Sequence, residues 1–270
     1  MRFFLGLSKW AHLAGLTVPA CVSLNTMPKT ARAIPRASAP VVVDGGGFTR
    51  VVLRGGWDTT PKEHVDQMQR AVYGLGREWV AWVAPQDMMC EPESLRATGL
   101  SLEEHQRRTV ENYVELTTIA PQLPWLPVLQ GWQLDDYLGC VELYELAGVD
   151  LSEVERVGVG SVCRRQATKE GIEIIATLVR RGLRVHAFGF KQTGLRALRK
   201  ELSEAEWALL SADSMAWSRT ARLEGICLEG HDRPGPGRRR GHQRCTSCRE
   251  WALAWREEML TSLPFGTGMP

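Results

Sequence analysis

The chain has 270 residues, of which 44% are hydrophobic and 24% charged. This length and composition allow a full hydrophobic core, which excludes a disordered or fibrous protein and favours one large domain or two small ones. The net charge of +2 excludes a uniformly basic nucleic-acid coat but leaves room for a local basic patch.

The first 24 residues are partly apolar, as an export signal would be. Their apolar run, FFLGL, is too short for such a signal and is followed by Lys9 and His12. No run of about 18 apolar residues predicts a membrane span. Seven cysteines, an odd number, do not fit a secreted disulfide framework. We therefore expect a protein of the reducing cytoplasm with no membrane partner.

Short apolar runs rich in β-branched residues predict eight strands. Most of these runs are apolar throughout, which is typical of parallel strands covered on both faces. The predicted strands are residues 2–5, 19–24, 40–43, 79–84, 125–129, 157–159, 184–188 and 209–212.

Amphipathic segments between the strands predict helices. The helix at residues 61–76 begins with a proline in its first turn and ends at a glycine. The helix at 101–117 begins at Ser101, and Glu104 three residues later predicts a capping box. Two further helices, at 134–149 and 168–183, each have a glycine near their end.

Alternating strands and helices predict an α/β fold of parallel βα units, either a closed (β/α)8 TIM barrel or a doubly wound open sheet. Polar or glycine residues follow strand after strand, and in a barrel these carboxyl ends converge on one face. This pattern favours the barrel. The residues are Asp44, Asp87, Gln130, Gly160, Ser161 and Asp213.

The segment VVVDGGGFTR places Asp44 and three glycines directly after a strand. The glycines let a flat ligand approach the main chain, Asp44 can exchange a proton, and Phe48 can stack on a ring. The alternative is a tight turn with a solvated acid. Neither GxGxxG nor a Walker lysine is present, so a phosphate-binding loop is not expected.

Asp87 follows another apolar strand. A carboxylate accepts two parallel hydrogen bonds, which suits the N–H edge of a guanine-like base, although a helix N-cap or turn is the alternative. Gln130 and Gly131 place an amide, able to donate and accept, at the next strand end.

Phe188, Gly189 and Lys191 follow the predicted seventh strand. Phe188 either packs in the core or stacks on a ligand. Lys191, together with Arg164 and Arg165 after the sixth strand, either binds phosphate or is a solvated surface charge.

The cysteines near the C-terminus predict a zinc site. Cys245 and Cys248 form a CxxC pair that opens a helix, and Cys227 and His231 form a second local pair. A redox CxxC is the alternative, and His242 is a fifth candidate ligand. We expect structural Zn²⁺ bound by Cys227, His231, Cys245 and Cys248.

A basic loop lies between these pairs. Its arginines suit a polynucleotide backbone, although a solubilising loop is the alternative. We predict a catalytic domain at residues 1–222 and a zinc-binding and basic segment with a C-terminal helix at residues 223–263. The arginines of the loop are Arg233, Arg238, Arg239, Arg240 and Arg244.

Six segments of the chain carry a family resemblance through their order and position. They are DGGGF, QDMMCEP, VLQGW, GVGSVCRRQ, HAFGFK and SADSMAWS. Together they resemble the tRNA-guanine transglycosylase superfamily, and the closer likeness is to its DpdA-type branch, which inserts 7-deazaguanines into DNA in phages and bacteria. The resemblance implies a (β/α)8 barrel, a zinc subdomain near the C-terminus, base exchange at a nucleoside, and the cytoplasm of a bacterial or phage-infected cell.

The resemblance also implies residue roles. Asp213 matches the nucleophile that attacks the ribosyl C1′, and Asp44 matches the acid that handles the proton of the leaving and entering bases. Phe48 and Phe188 match the positions that sandwich the base. The positions expected to contact the base edge are Asp87, Gln130, Gly131, Gly160, Ser161 and Gly189. Phosphate contacts are expected from Arg164, Lys191, Arg219, Arg222, Arg238, Arg239 and Arg240.

The sequence departs from the family pattern in two places. Two zinc ligands precede the CxxC here and no histidine follows it, and the spacing between Asp87 and Cys90 is one residue longer. The sequence lacks an appended RNA-binding domain, which favours DNA over tRNA.

The expected partners are DNA with a flipped-out guanosine and a free 7-deazapurine base, preQ0-like or preQ1-like, and the protein can be an oligomer. Two alternatives remain open. One is a transglycosylase that acts on tRNA, and the other is a non-enzymatic zinc-dependent nucleic-acid-binding protein.

Overall fold

The computed structural model describes residues 1–229 and 245–264. All eight predicted strands are present, each within a few residues of its predicted position. They are β1 (Arg2–Gly6), β2 (Ala20–Ser23), β3 (Val41–Asp44), β4 (Val80–Val83), β5 (Val128–Leu129), β6 (Val157–Val159), β7 (Val185–Ala187) and β8 (Ser211–Ser214).

The strands form one parallel sheet in the order β4-β3-β2-β1-β8-β7-β6-β5. The sheet curls into a half-barrel whose edge strands approach each other at a single bridge between Val83 and Trp125. Two backbone hydrogen bonds accompany the bridge, from Val83 to Pro124 at 2.9 Å and from Leu126 to Val83 at 3.0 Å. The predicted α/β class with eight parallel strands is confirmed.

Ten α-helices are found in the described part of the chain, and α2, α4, α5 and α6 correspond to the four helices predicted above. They are α1 (Gly47–Arg54), α2 (Pro61–Leu75), α3 (Pro92–Thr98), α4 (Leu102–Ile119), α5 (Leu134–Leu146), α6 (Lys169–Arg180), α7 (Gln192–Glu201), α8 (Glu204–Leu209), α9 (Ala216–Leu223) and α10 (Arg249–Thr261). None of the helices within residues 1–229 and 245–264 is long and apolar enough to cross a membrane.

The capping box predicted at the start of α4 is only half formed. The Ser101 hydroxyl accepts the backbone N–H of Glu104 at 3.2 Å. The Glu104 carboxylate instead pairs with Arg107 and Arg108 on the next turn, because these cations offer stronger, charge-assisted hydrogen bonds.

The last strand differs from its prediction at residues 209–212. Leu209 ends helix α8, and the strand runs from Ser211 to Ser214. A complete capping box between Ser203 and Glu206 starts this short helix and extends it into the apolar run. Asp213 therefore lies within β8, paired in register with Phe4 of β1, rather than beyond the strand.

The interior of the curled sheet is filled by a small apolar cluster. Its members alternate along the strands with residues that face the helices, as expected for a β/α fold. This packed interior forms a floor below the carboxyl ends of the strands. The buried members are Phe4, Cys21, Val42, Trp82, Ala84, Leu126 and Val128.

Helix α10 packs against the first and last strand–helix units. The Trp251 indole donates a hydrogen bond to the carbonyl of Trp217 at 3.0 Å, and the Trp255 ring lies 6.2 Å from that of Phe3. The predicted boundary at residues 222–223 falls at the end of α9 and stays a prediction. His231, His242 and the basic-loop arginines lie outside the described residues.

Candidate active site

Polar side chains from several strands meet at the carboxyl end of the sheet. The parallel topology brings these ends to one face, and hydrogen bonds connect residues that follow different strands. The residues are Asp44 at the end of β3, Asp213 in β8, and Asp87, Gln130, Ser161 and Phe188 just after β4, β5, β6 and β7.

Asp213 is held through one of its two oxygens. Its Oδ1 accepts the backbone N–H of Gly189 at 2.9 Å and lies 3.3 Å from Nε2 of His186. Gly189 has a φ of 68°, a left-handed conformation that glycine adopts without strain. The Asp213 side chain retains 16% exposure, so a substrate can reach it.

The sequence did not identify His186 as a site residue. It lies in β7, is fully buried, and bonds through Nδ1 to the Ser211 hydroxyl at 2.9 Å. A polar residue in an otherwise apolar strand was the available sequence signal. Its partners follow 25 and 27 positions later, so local pattern could not reveal them.

Asp44 has a pKa raised to about 6. Burial of the carboxyl group is the main cause, a hydrogen bond from Ser23 opposes it, and the negative charge of Asp213 raises the pKa further. The backbone N–H of Gly46 donates to Asp44 Oδ2 at 3.1 Å. A carboxyl group of this kind can give and take a proton near neutral pH.

Asp87 has a pKa raised to about 7, first by burial and then by the charge of Asp44. Its Oδ2 accepts the side-chain amide of Gln130 at 2.6 Å. The other oxygen faces the glycine loop, since a Cβ atom on Gly47 would lie 3.3 Å from Oδ1. The carboxyl group is therefore oriented by the protein before any ligand binds.

Gln130 is oriented from both sides of its amide. Its Oε1 accepts the Ser161 hydroxyl at 2.7 Å, and that hydroxyl in turn accepts the backbone N–H of Cys90 at 2.8 Å. Ser161 has a φ of 56°, unusual for a residue other than glycine. A side chain on Gly160 would overlap the Gln130 amide. Three of the residues predicted to contact a base edge, Asp87, Gln130 and Ser161, thus form one hydrogen-bonded chain with Gln130 at its centre. Gly189, also predicted to contact the base edge, instead bonds to Asp213.

The two predicted stacking residues differ in environment. Phe48 is 39% exposed, and the Arg164 guanidinium lies 4.8 Å above its ring while also pairing with Glu93. Phe188 is half-buried, with its ring 4.8 Å from His186 and 5.7 Å from Trp82. Phe188 therefore continues the aromatic floor of the sheet, whereas Phe48 lies at the rim.

Two of the predicted phosphate-binding cations share a cavity of about 250 Å³. Lys191 precedes α7, two residues after the glycine that binds Asp213, and Arg219 lies on α9. Thr193 and Thr220 also line the cavity. Arg222 is exposed on α9.

Three of the four predicted zinc ligands lie in one small cluster, Cys227, Cys245 and Cys248. Backbone N–H groups donate to Cys245 Sγ from Leu228 at 3.3 Å and to Cys248 Sγ from Trp251 at 3.5 Å. Within residues 1–229 and 245–264 no three His, Cys, Asp or Glu side chains are grouped closely enough to hold a metal ion. The zinc site stays a prediction.

The chain matches a model of a known protein family over almost its whole length. The family model described as DpdA, DeoxyPurine in DNA protein A, matches residues 1–265. The matched span includes all eight strands and all seven cysteines. A search of curated proteins finds no significant match.

Proposed function

Because the chain belongs to the DpdA family, DeoxyPurine in DNA protein A, we propose that it exchanges guanine in DNA for a 7-deazaguanine base. Family membership supports a DNA-modifying enzyme that acts on deoxypurines. The observation that carries the proposal is a pair of aspartate side chains at the face formed by the C-terminal ends of the strands. Asp213 is oriented and accessible, and Asp44 has a pKa of about 6.

The proposed reaction has two displacements at C1′ of the deoxyribose. Asp213 attacks C1′, the C1′–N9 bond breaks, and its electron pair leaves with guanine, which takes a proton from Asp44. The product is a covalent glycosyl-enzyme ester. Asp44, now a carboxylate, takes the N9 proton of the incoming base, N9 attacks C1′, and the bond from C1′ to Asp213 breaks.

The network of Asp87, Gln130 and Ser161 supports recognition of a guanine edge. Guanine and 7-deazaguanines share N1–H and 2-amino donors, and a carboxylate is the acceptor that matches them. Ser161 fixes the Gln130 amide so that its NH₂ group points to Asp87. One preorganised pocket therefore accepts both the leaving and the entering base.

DNA is the proposed polymer substrate, as the family description supports. A guanosine within a duplex must be flipped out of the stack to reach Asp213, at a cost of a few kcal/mol. Lys191 and Arg219, which line one cavity, are proposed to bind phosphates next to the flipped nucleotide. Arg164, Arg222, Arg238, Arg239 and Arg240 complete the proposed phosphate contacts.

The proposal includes a structural zinc bound by Cys227, His231, Cys245 and Cys248. Backbone N–H groups that donate to Cys245 and Cys248 sulfurs fit this assignment, because metal-bound thiolates accept such hydrogen bonds. Zinc would link the chain after α9 to the start of α10. It would take no part in base exchange.

The test measures incorporation of radiolabelled preQ0 or preQ1 into DNA by wild type and Asp213→Asn, with tRNA as a competing substrate. The variant is expected to lose exchange by at least about a thousandfold, as removal of a nucleophile does, and to form no denaturant-stable adduct with DNA. Asp66→Asn, an exposed residue of α2, is the matched control and should exchange like wild type. Normal exchange by Asp213→Asn would contradict the nucleophile assignment, and preferential labelling of tRNA would contradict the substrate.

A further inference from the structure

We infer that His186 is a positioning residue for Asp213, and that the Ser211 hydroxyl stabilises the imidazole tautomer that does this by donating to Nδ1. The inference rests on the proposed role of Asp213 as nucleophile. It concerns a chain of three side chains from two adjacent strands, Ser211, His186 and Asp213, in which each contacts the next.

The imidazole of His186 is enclosed by the interior of the sheet. It is fully buried, and its ring lies 4.7 Å from Trp82, 4.8 Å from Phe188 and 5.9 Å from Phe4, each at a steep angle. These contacts fix the ring plane. Both ring nitrogens therefore have fixed partners, Nδ1 with Ser211 and Nε2 with Asp213.

The direction of the hydrogen bonds follows from the chemistry of the partners. Burial lowers the pKa of His186, opposed by the hydrogen bond and charge of Asp213, while Arg156 lowers it further, which favours a neutral ring. An ionised Asp213 only accepts, so the single ring proton must lie on Nε2. Nδ1 is then an acceptor, and Ser211 must donate to it.

Ser211 has one competing acceptor. Its hydroxyl lies 2.9 Å from Nδ1 of His186 and 3.4 Å from the carbonyl of Val185. The shorter contact is the stronger hydrogen bond, so the hydroxyl proton goes to the ring. Without this donor the buried Nδ1 of the Nε2–H tautomer would lose its hydrogen bond. The other tautomer would turn an unprotonated Nε2 toward the Asp213 carboxylate, which would repel it.

The chain distinguishes the two oxygens of Asp213. Oδ1 receives both the His186 N–H and the Gly189 N–H, whereas none of the described residues hydrogen-bonds to Oδ2. Oδ2 is therefore the attacking oxygen. In the glycosyl ester Oδ1 becomes the carbonyl oxygen, and when the ester bond breaks the same two donors stabilise the returning carboxylate charge.

The first experiment reads the tautomer directly, without any reaction. The ¹⁵N chemical shifts of the His186 ring are assigned by their loss in His186→Gln. The expected result is a protonated Nε2 and an unprotonated, hydrogen-bonded Nδ1 in wild type, with the Nδ1 resonance shifted in Ser211→Ala by loss of that hydrogen bond. A wild-type ring protonated at Nδ1 alone, or an unchanged ring in Ser211→Ala, would overturn the inference.

The second experiment compares kcat with the KM for the free base in the exchange assay. Ser211→Ala and His186→Ala are expected to lower kcat about 10- to 100-fold while KM stays within about twofold, as loss of a positioning group does. His186→Gln, whose amide can reach Asp213, should recover part of kcat. Ser218→Ala, a buried serine of α9 that bonds to the carbonyl of Thr246, is the folding control.

The two proposals fail separately. If Ser211→Ala keeps the kcat of Ser218→Ala, the positioning role is wrong even though exchange occurs. If wild type exchanges no base, the proposed function is wrong, and the ring ¹⁵N shifts still decide whether Ser211 donates to Nδ1.

Discussion

At the residue scale, burial raises the pKa values of two aspartates toward neutral pH. Asp44 has a pKa of about 6 and Asp87 of about 7, whereas a free aspartate ionises near pH 3.9. Between these values the folded protein holds protons that the unfolded chain releases. The stability linked to these groups is fully present below about pH 4 and is lost as pH rises to about 7.

We therefore expect Asp87→Asn to be more stable than wild type at pH 8. The amide removes the cost of a buried charge beside Asp44 and can still accept the Gln130 hydrogen bond. The expected gain in free energy of unfolding is on the order of 1–2 kcal/mol, discounted because Asp87 keeps some solvent contact. Urea unfolding at pH 8 and at pH 4 measures it.

The control for this prediction is Asp66→Asn, which removes the same charge from the exposed surface of α2. It should leave the unfolding curve unchanged at both pH values. The Asp87→Asn gain should vanish at pH 4, where both carboxyl groups are protonated in the folded state. A gain of equal size at pH 4 would show that charge burial is not its cause.

A residue's role could be predicted only where the pattern that indicates it lies in residues adjacent in the sequence. Asp44 and Asp87 follow apolar strands directly, so their place at the carboxyl face could be predicted from the sequence. The role of His186 could not be predicted, because it is a single polar residue among apolar ones and both hydrogen-bond partners of its ring lie in β8. The contact of Ser211 with it exists only once two strands are paired in register.

At the scale of elements, the turn after β6 positions the Asp87–Gln130–Ser161 network that is proposed to bind the base edge. Gly160 packs against the Gln130 amide so closely that any side chain there would displace it. We expect Gly160→Ala to raise the KM for the free base about tenfold or more, because the Asp87–Gln130 pair would lose its orientation. Steady-state exchange kinetics with varied base concentration measure this change.

Gly139→Ala is the matched control for this substitution. Gly139 lies in helix α5, and a Cβ atom there would contact nothing within 4 Å. Since alanine favours a helix over glycine, this variant should exchange normally and be slightly more stable, by about 0.5–1 kcal/mol. Equal KM values for the two variants would contradict the role assigned to Gly160.

The predicted elements were correct where the periodicity was unambiguous and shifted where two local preferences competed. The apolar residues Leu209 and Leu210 favour a strand, but the capping box at Ser203 and Glu206 starts a helix that takes Leu209. The same segment contains both patterns, and only the packing of β8 against β1 decides between them. The shift moves Asp213 from beyond the strand into it.

At the scale of the whole molecule, charge is concentrated in one segment. Residues 230–244 contain five arginines and one aspartate, a net charge of +4, which exceeds the +2 of the entire chain. Such a segment can supply a large share of the phosphate contacts of DNA binding. Arg238 and Arg239 lie in this segment.

We expect Arg238→Ala/Arg239→Ala to lower the slope of log K for DNA against log salt by about two, since about one counterion is released per phosphate contact. Fluorescence anisotropy with labelled duplex DNA at several salt concentrations measures the slope. Arg181→Ala/Lys200→Ala is the control of equal charge. These exposed residues lie at the carboxyl ends of α6 and α7, on the face opposite the site. Equal slopes for the two double variants would contradict the prediction.

The strand pattern of the sequence alone left two candidate architectures, a closed (β/α)8 barrel and a doubly wound open sheet. Polar residues at successive strand ends favoured convergence on one face. The hydrogen bonds between residues that follow β4 and β5, and between Gly189 after β7 and Asp213 in β8, agree with it. How the edges of the sheet meet, at Val83 and Trp125, was not predictable, because a single bridge leaves no periodic trace.

The pairing of β1 with β8 has a consequence for how the protein is made. Arg2 pairs with Ser211, so about 200 further residues must be translated after β1 before β8, its second neighbour in the sheet, has been made. Until then the nascent chain presents the apolar edge of β1, a site for chaperones or aggregation. Asp213, the proposed nucleophile, lies on that late strand, so a prematurely terminated chain would contain most of the sheet, including Asp44, but not Asp213.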